Sequence, residues 1–271
     1  MSISAVSFDL WDTVLDDDSD EAARAKQGLQ TKGETRHRML LEALQKHHEI
    51  SRAEVDLAYG VANAAFYKAW QEDSITWTCE ERLQVLLDGL SLSLPEDELS
   101  RLADAMGALE VDVPPDLLPG VKAAIQALAE KYKLCVVSDT IITPGTGLRK
   151  ILNHHGLADC FDAFAFSDEV GRSKPHESIF MAACKGLEVE PDQVAHIGDR
   201  DNKDIKGAQA LGMKAILYTG KRDQDRFTTS ADVVCEDHAD LVGLVGRWLT
   251  IKGNDGSGAE NSAGRRQHKG P

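Results

Sequence analysis

The sequence predicts a doubly wound α/β fold interrupted by a helical insertion. Three observations predict it: short apolar runs that end in Asp or Ser, helix-period segments alternating with them, and a stretch from Asp18 to Pro115 that carries helix patterns and no strand. In chain order the runs are Ala5-Val6-Ser7-Phe8 into Asp9, Leu134-Cys135-Val136-Val137 into Ser138, Phe164-Ala165-Phe166 into Ser167, and Val194-Ala195-His196-Ile197 into Gly198-Asp199. Ala215-Ile216-Leu217-Tyr218 is a fifth. They are too short and too apolar for half-exposed strands, so they read as buried strands of a parallel sheet.

Between them, Val121, Ile125 and Leu128 recur at helical spacing, as do Leu148, Ile151 and Leu152, then Ile179, Phe180 and Ala183, then Ile205, Ala208 and Leu211 before Gly212. Ligands of such sheets sit beyond the carboxyl ends of the strands. Asp9, Ser138 and Asp199 are therefore expected on one edge.

The insertion shows four amphipathic helix patterns: Met39, Leu40 and Leu44; Val55, Tyr59, Ala62 and Phe66; Leu83, Leu86, Leu87 and Leu90; and Leu99, Leu102, Met106 and Leu109. Capping boxes at Ser51/Glu54 and Thr78/Glu81, and Pro95 before Glu96, mark helix starts. The flanks are the acidic, flexible Asp16-Asp17-Asp18-Ser19-Asp20 and the stiff Val113-Pro114-Pro115, which suit hinges. The expected organisation is a core of residues 1–17 and 116–250, a helical cap domain of 18–115, and a disordered tail of 251–271 with little to bury.

Composition narrows the function classes. The 271 residues hold 30 Lys+Arg against 45 Asp+Glu, a formal net charge of -15 that repels nucleic acid and anionic membrane alike. Hydrophobic residues at 42% and charged residues at 28% are those of a globular protein. Cys79, Cys135, Cys160, Cys184 and Cys235 form no Cys-x-x-Cys pair, which argues against a disulfide framework and structural zinc. No basic leader precedes an apolar run and no stretch approaches the ~20 apolar residues of a membrane span, so a cytoplasmic location is expected. The sequence sets no oligomeric state.

Four segments carry candidate chemistry. Asp9, at the tip of the first strand in Phe8-Asp9-Leu10-Trp11-Asp12-Thr13, fits either a covalent nucleophile or a turn residue that caps a helix. Ser138-Asp139-Thr140 offers a hydroxyl and backbone N–H groups to phosphoryl oxygens, or forms an ST-turn. In Gly171-Arg172-Ser173-Lys174-Pro175 the proline fixes the loop that presents Lys174, whose alternative is a solvated ammonium. Gly198-Asp199-Arg200-Asp201-Asn202-Lys203-Asp204 crowds carboxylates into one turn, and such like charges in a cleft need a cation, for which Mg2+ is suited.

In that order and spacing the four segments resemble the haloacid dehalogenase-like (HAD) hydrolase superfamily, over about Ser4 to Leu249. The resemblance implies a Rossmann-like core with a helical cap after the first motif. It implies Asp9 as nucleophile, Ser138 holding the transferring group with Asp139 and Thr140 beside it, and Lys174 offsetting charge. Mg2+ would be held by Asp9, Asp199 and the backbone carbonyl of Trp11, with Asp204 supporting the site directly or through water. The implied substrate is a small phosphorylated metabolite.

One departure matters. Phosphatases of the superfamily usually carry a second Asp two residues after the nucleophile as general acid and base, and here that position is Trp11. Dehalogenases of the superfamily also have an aromatic residue there, because halide leaves without a proton, but their fourth motif usually lacks the metal site that Asp199 and Asp204 retain. The favoured reading is a phosphatase, the alternatives a 2-haloacid dehalogenase-like enzyme or a weakly catalytic phosphometabolite-binding protein. Asp12 is the candidate replacement acid, with a self-bonded turn residue as its bland alternative; Trp11 walls the leaving group or simply packs. His47-His48 and His154-His155 read as solvated pairs, because adjacent positions share no helix face. Arg36, Arg38 and Lys68 in the insertion either meet an anionic substrate or lie on wet helix faces.

Overall fold

Four consecutive buried residues form β1 (Ala5–Phe8) near the centre of a six-stranded parallel sheet. Its partners are β2 (Lys133–Ser138), β3 (Ala163–Phe166), β4 (Val194–Gly198), β5 (Lys214–Tyr218) and β6 (Val233–Cys235), in the order β3-β2-β1-β4-β5-β6. The computed structural model describes residues 2–249, and the expected tail lies outside them. Register sets Ala5 against Lys133 on one side and Val194 on the other. Strand order reverses between β1 and β4, the crevice where ligands of doubly wound sheets bind.

Alternation along each strand feeds two apolar layers. On one face Val6, Phe8, Val136 and Ile197 pack against α6 (Val121–Ala129), α7 (Gly145–His154) and, at the far end of the chain, Leu241–Gly246. On the other, Val137, Ala165 and Leu217 meet Ile179, Phe180 and Ala183 of a helix at Glu177–Leu187 and Ala208 of one at Lys206–Ala210. With the single turn Ser167–Val170, these are α8 (Ser167–Val170), α9 (Glu177–Leu187), α10 (Lys206–Ala210) and α11 (Leu241–Gly246).

Between β1 and α6 lie five helices, not four: α1 (Ser19–Lys26), α2 (Lys32–Gln45), α3 (Arg52–Glu72), α4 (Cys79–Leu90) and α5 (Glu96–Asp112). The additional helix corrects the expected flexible acidic flank. Asp18 turns through a left-handed conformation at φ 63° to start α1, and Asp20 is buried because the Lys32 ammonium donates to it at 2.8 Å. The capping boxes at Ser51 and Thr78 are formed, with a third at Thr31/Glu34. These helices have an apolar cluster of their own, built on Leu40, Leu44, Val55, Leu86, Leu102 and Met106. No helix among the described residues is long and apolar enough to cross a membrane.

Candidate active site

Asp9 is the first residue beyond β1, and its backbone N–H still donates to Ile197 on β4 at 2.9 Å. That bond keeps its carboxylate beside the end of β4, where Gly198-Asp199 follows. A Cβ at position 198 would lie 2.3 Å from Asp204 Cγ, so glycine there is what lets Asp204 fold back over the strand end. A wide π-helical turn at Asp201–Ile205 aims it inward. Carboxylate oxygens of Asp9, Asp199 and Asp204 all come within 4.8 Å of one another.

One buried ammonium bridges two of these carboxylates. Lys174 Nζ donates to Asp9 Oδ1 at 2.5 Å and to Asp204 Oδ1 at 2.6 Å. Burial opposes its charge, yet Asp204 and Asp9 hold its pKa above the ordinary lysine value. Burial likewise opposes ionisation of Asp204, but Lys174 and His196 hold its pKa down. Asp204 is also fixed by the Arg200 backbone N–H at 3.0 Å and by His196 Nε2 at 3.3 Å, while the other His196 nitrogen pairs with Ser7 Oγ at 2.9 Å.

Asp9 shares Lys174 with Asp204, and Asp199 has only the Arg200 guanidinium, whose Nε lies 3.6 Å from its Oδ2. Burial pushes Asp9 up to about 7 against the pull of Lys174. Burial, then Asp204 and Asp9, push Asp199 up to about 8, and its buried Oδ2 has no hydrogen-bond partner. Three hard oxygen donors in one crevice, one of them orphaned, fit a divalent ion such as Mg2+.

These carboxylates line a cavity of about 270 Å³ between the strand ends and the helical insertion. From the core side Trp11, Asp139, Lys174, Arg200 and Lys203 face it; from the insertion come Lys32, Arg36, Trp70 and Glu110. Not every expected residue joins them. Asp12 adopts φ 54°, accepts the Asp17 backbone N–H at 3.3 Å, and is not among the cavity's lining residues, which is the turn role. Ser138 Oγ donates to its neighbour's carbonyl, Asp139 O, at 3.3 Å and does not line the cavity. Thr140 bonds Ser167 and faces a separate cleft of about 890 Å³ between α4, α5 and α7.

Several residues outside the expected set complete the site. Thr13 Oγ1 donates to Asp9 Oδ2 at 3.4 Å. His238, wholly buried, lies 2.8 Å from the Thr13 carbonyl and 3.0 Å from that of Pro119, tying the Asp9–Thr13 loop to the start of α6. Arg36 is buried against the cavity, whereas Arg38 and Lys68 are exposed and paired with Glu42 and Glu72. Of the histidine pairs, His48 and His155 are half-buried rather than solvated, with Nε2 2.7 Å from Ser93 O and 2.8 Å from Pro115 O respectively, and His47 Nε2 lies 2.7 Å from Glu98.

A family model described as haloacid dehalogenase-like hydrolase matches residues 3–212, from before Asp9 to beyond Asp204. The chain belongs to this family of hydrolases. Among its haloacid dehalogenase-like relatives, the mouse haloacid dehalogenase-like hydrolase domain-containing protein 3 is 29% identical over 181 residues, which are 66% of this chain and 66% of that protein. Glyceraldehyde 3-phosphate phosphatase of Pyrococcus furiosus is 40% identical over 102 residues, 37% of this chain and 41% of that one. The chain thus matches less than two thirds of the length of either relative. The crystal structure of a HAD phosphatase from Thermococcus onnurineus shares the fold, with a TM-score of 0.59 at 22% identity over 90% of this chain and 98% of that one.

Proposed function

We propose that the chain is a Mg2+-dependent phosphoric monoester hydrolase that acts on a small phosphorylated metabolite through an aspartyl phosphate on Asp9. The observation that carries this reading is the buried group of Asp9, Asp199 and Asp204 with Lys174 bridging two of them and Asp199 Oδ2 without a hydrogen bond. A carboxylate can attack a phosphate dianion only where positive charge offsets their repulsion. The phosphatase name of the Pyrococcus furiosus relative supports the same reading.

Asp9 attacks phosphorus as the bond to the leaving oxygen breaks, and the ammonium of Lys174 stays beside both partners in that step. Bound Mg2+, held by Asp9, Asp199, Asp204 and the Trp11 carbonyl, would supply Lewis-acid stabilisation of the phosphoryl oxygens. Ser138 would turn its hydroxyl from the Asp139 carbonyl toward the transferring group. The leaving alkoxide takes its proton from water, and the hydroxide so formed attacks phosphorus, releasing phosphate and restoring the Asp9 carboxylate. Residues 18–115 act as a cap domain whose helices keep bulk water out and admit only small substrates.

Trp11 favours a second reading, displacement of halide from a 2-haloacid by Asp9, since that leaving group takes no proton. The two differ in what Asp199 is for. Hydrolysis of an aryl phosphate, whose leaving group also needs no acid, tests them with Mg2+ or EDTA and with Asp9→Asn as control. Turnover that requires both Mg2+ and Asp9 supports the phosphatase. Halide release from 2-haloacids that survives EDTA, with no phosphate hydrolysis, supports the dehalogenase.

A further inference from the structure

The buried polar atoms without partners along the cavity sort by chemistry. Asp199 Oδ2 is an acceptor and belongs to the cation site described above, whereas Trp11 Nε1 and Arg36 Nε and Nη2 are donors. Donors buried without acceptors are costly: the chain supplies no oxygen to Trp11 Nε1 or Arg36 Nε, and offers Arg36 Nη2 only an ion-pair contact with Glu110 at 3.5 Å, too long for a hydrogen bond. Nε and Nη2 form one edge of the guanidinium, the pair that grips a carboxylate or phosphate through two parallel bonds.

The surroundings hold that edge open. The Arg36 side chain is 10% exposed, and Glu110 Oε1 stands 3.5 Å from Nη2 without forming a hydrogen bond. Glu110 is engaged elsewhere, by the Thr143 hydroxyl and by Lys32 Nζ at 3.2 Å. Burial works against its charge, but Lys32 and Arg36 keep its carboxyl below the usual range, so it stays ionised beside Arg36. Lys32 is itself occupied, by Asp20 at 2.8 Å as well as Glu110. Glu110 therefore neutralises Arg36 without consuming its donor edge.

We infer that Arg36 receives a second oxyanion on the substrate, a carboxylate or a second phosphate remote from the phosphoester presented to Asp9. The inference rests on the phosphatase reading and narrows it to doubly anionic substrates. A cavity of about 270 Å³ admits a chain of only a few carbons between the two groups. Trp11 Nε1 donates to an oxygen on those intervening carbons.

The test is calorimetric binding, in the presence of Mg2+, of two matched pairs. 3-Phosphoglycerate and glycerol 3-phosphate differ only in a carboxylate replacing a hydroxymethyl group; propane-1,3-diyl bisphosphate and 3-hydroxypropyl phosphate differ only in the second phosphate. The wild type binds the doubly anionic member of at least one pair roughly 10-fold tighter or more, and the pair that responds identifies the group as carboxylate or phosphate. Arg36→Gln brings that preference to within about 2-fold, and Arg36→Lys, which keeps the charge and loses the fork, restores only part of it. A melting curve establishes that each variant is folded, and Arg36→Lys carries the comparison should Arg36→Gln fail to fold.

Equal binding within both pairs by the wild type overturns the inference, as does an undiminished preference in the Arg36 variants, or no binding of any of the four at millimolar concentration. Aryl phosphate turnover is read separately. Turnover that needs Asp9 and Mg2+ without any pairwise preference removes the Arg36 inference alone. An Arg36-dependent preference without turnover removes the phosphatase reading and leaves the subsite standing.

Discussion

The Trp70 indole on α3 donates from Nε1 to Asp139 Oδ2 at 2.9 Å, and Asp139 Oδ1 accepts the Lys174 backbone N–H at 2.8 Å. One carboxylate thus joins the helical insertion to the loop that presents the central ammonium. Lys203 reinforces the joint: its Nζ lies 4.0 Å above the Trp70 ring and donates to the carbonyls of Trp70 at 3.1 Å and Lys174 at 2.7 Å.

Trp70→Phe keeps most of the packing and removes the bond to Asp139. Leaving a buried carboxylate oxygen short of a partner costs about 1–3 kcal/mol, so the melting temperature falls by several degrees. Because the lost bond also anchors Lys174, aryl phosphate turnover falls roughly 10-fold or more. Thermal melts and steady-state kinetics on one preparation check both; a stability loss with unchanged turnover makes the joint merely structural.

Trp11 stands where the usual general acid would be. Trp11→Asp supplies that carboxylate, and a general acid contributes about 100-fold or more to departure of a poor leaving group. Turnover of an alkyl phosphate therefore rises steeply, while the first step with an aryl phosphate changes little. Comparing the pre-steady-state rate of leaving-group release from the two esters in both proteins gives the answer, because kcat also contains the water-attack step, and equal effects on the two release rates contradict the assignment.

Asp199 is crowded by Asp204 and Asp9 and has an oxygen without a hydrogen bond. Mg2+ stabilises the wild type by mass action, raising its melting temperature with concentration. In Asp199→Asn that rise is lost, while the metal-free variant melts higher than the metal-free wild type because a buried repulsion is gone. Differential scanning fluorimetry across a Mg2+ titration reads both; an unchanged shift places the ion elsewhere.

The pKa of His238 is lowered from 6.5, by burial in the first place and against the pull of the carbonyls of Thr13 and Pro119. The unfolded chain takes up a proton near 6.5, the folded one only at lower pH, so acid favours unfolding. The stabilisation is whole above 6.5 and is lost as pH falls through the folded value. Melting temperatures of wild type and His238→Gln, followed from neutral pH downward, should converge on acidification. Parallel curves would mean that His238 titrates alike in both states.

The sequence exposes what is buried on both faces and hides what is folded by charge. Five strands stand out as apolar runs, but β6 is three residues with Val234 37% exposed, too short and too open to make a pattern. The helix α1 is hidden for another reason: its buried residues are Asp20 and Arg24, which bond to Lys32 and to Thr35 and Gln30. No apolar periodicity marks such a helix. Asp9, Asp199 and Asp204 are legible because strand ends and a glycine dictate where they go. The burial of Arg36 is not, since Glu110, the carboxylate beside it, lies on α5, at the far end of the insertion. Nor is the orientation of Ser138 or Thr140, because their hydroxyl bonds, to the Asp139 carbonyl and to Ser167, keep both off the cavity lining.

The central claim is the covalent step on Asp9. With Trp11 in place of the usual acid and base, an aryl phosphate can phosphorylate Asp9 while attack of water on the product has no general base, so the phosphorylated enzyme accumulates. Acid-quenching the enzyme during turnover with an aryl phosphate and Mg2+, followed by peptide mass spectrometry, measures this directly. One added phosphoryl group is expected on the peptide containing Asp9, absent in Asp9→Asn and absent with EDTA. Sustained turnover with no adduct there, or with an adduct on another residue, would contradict it.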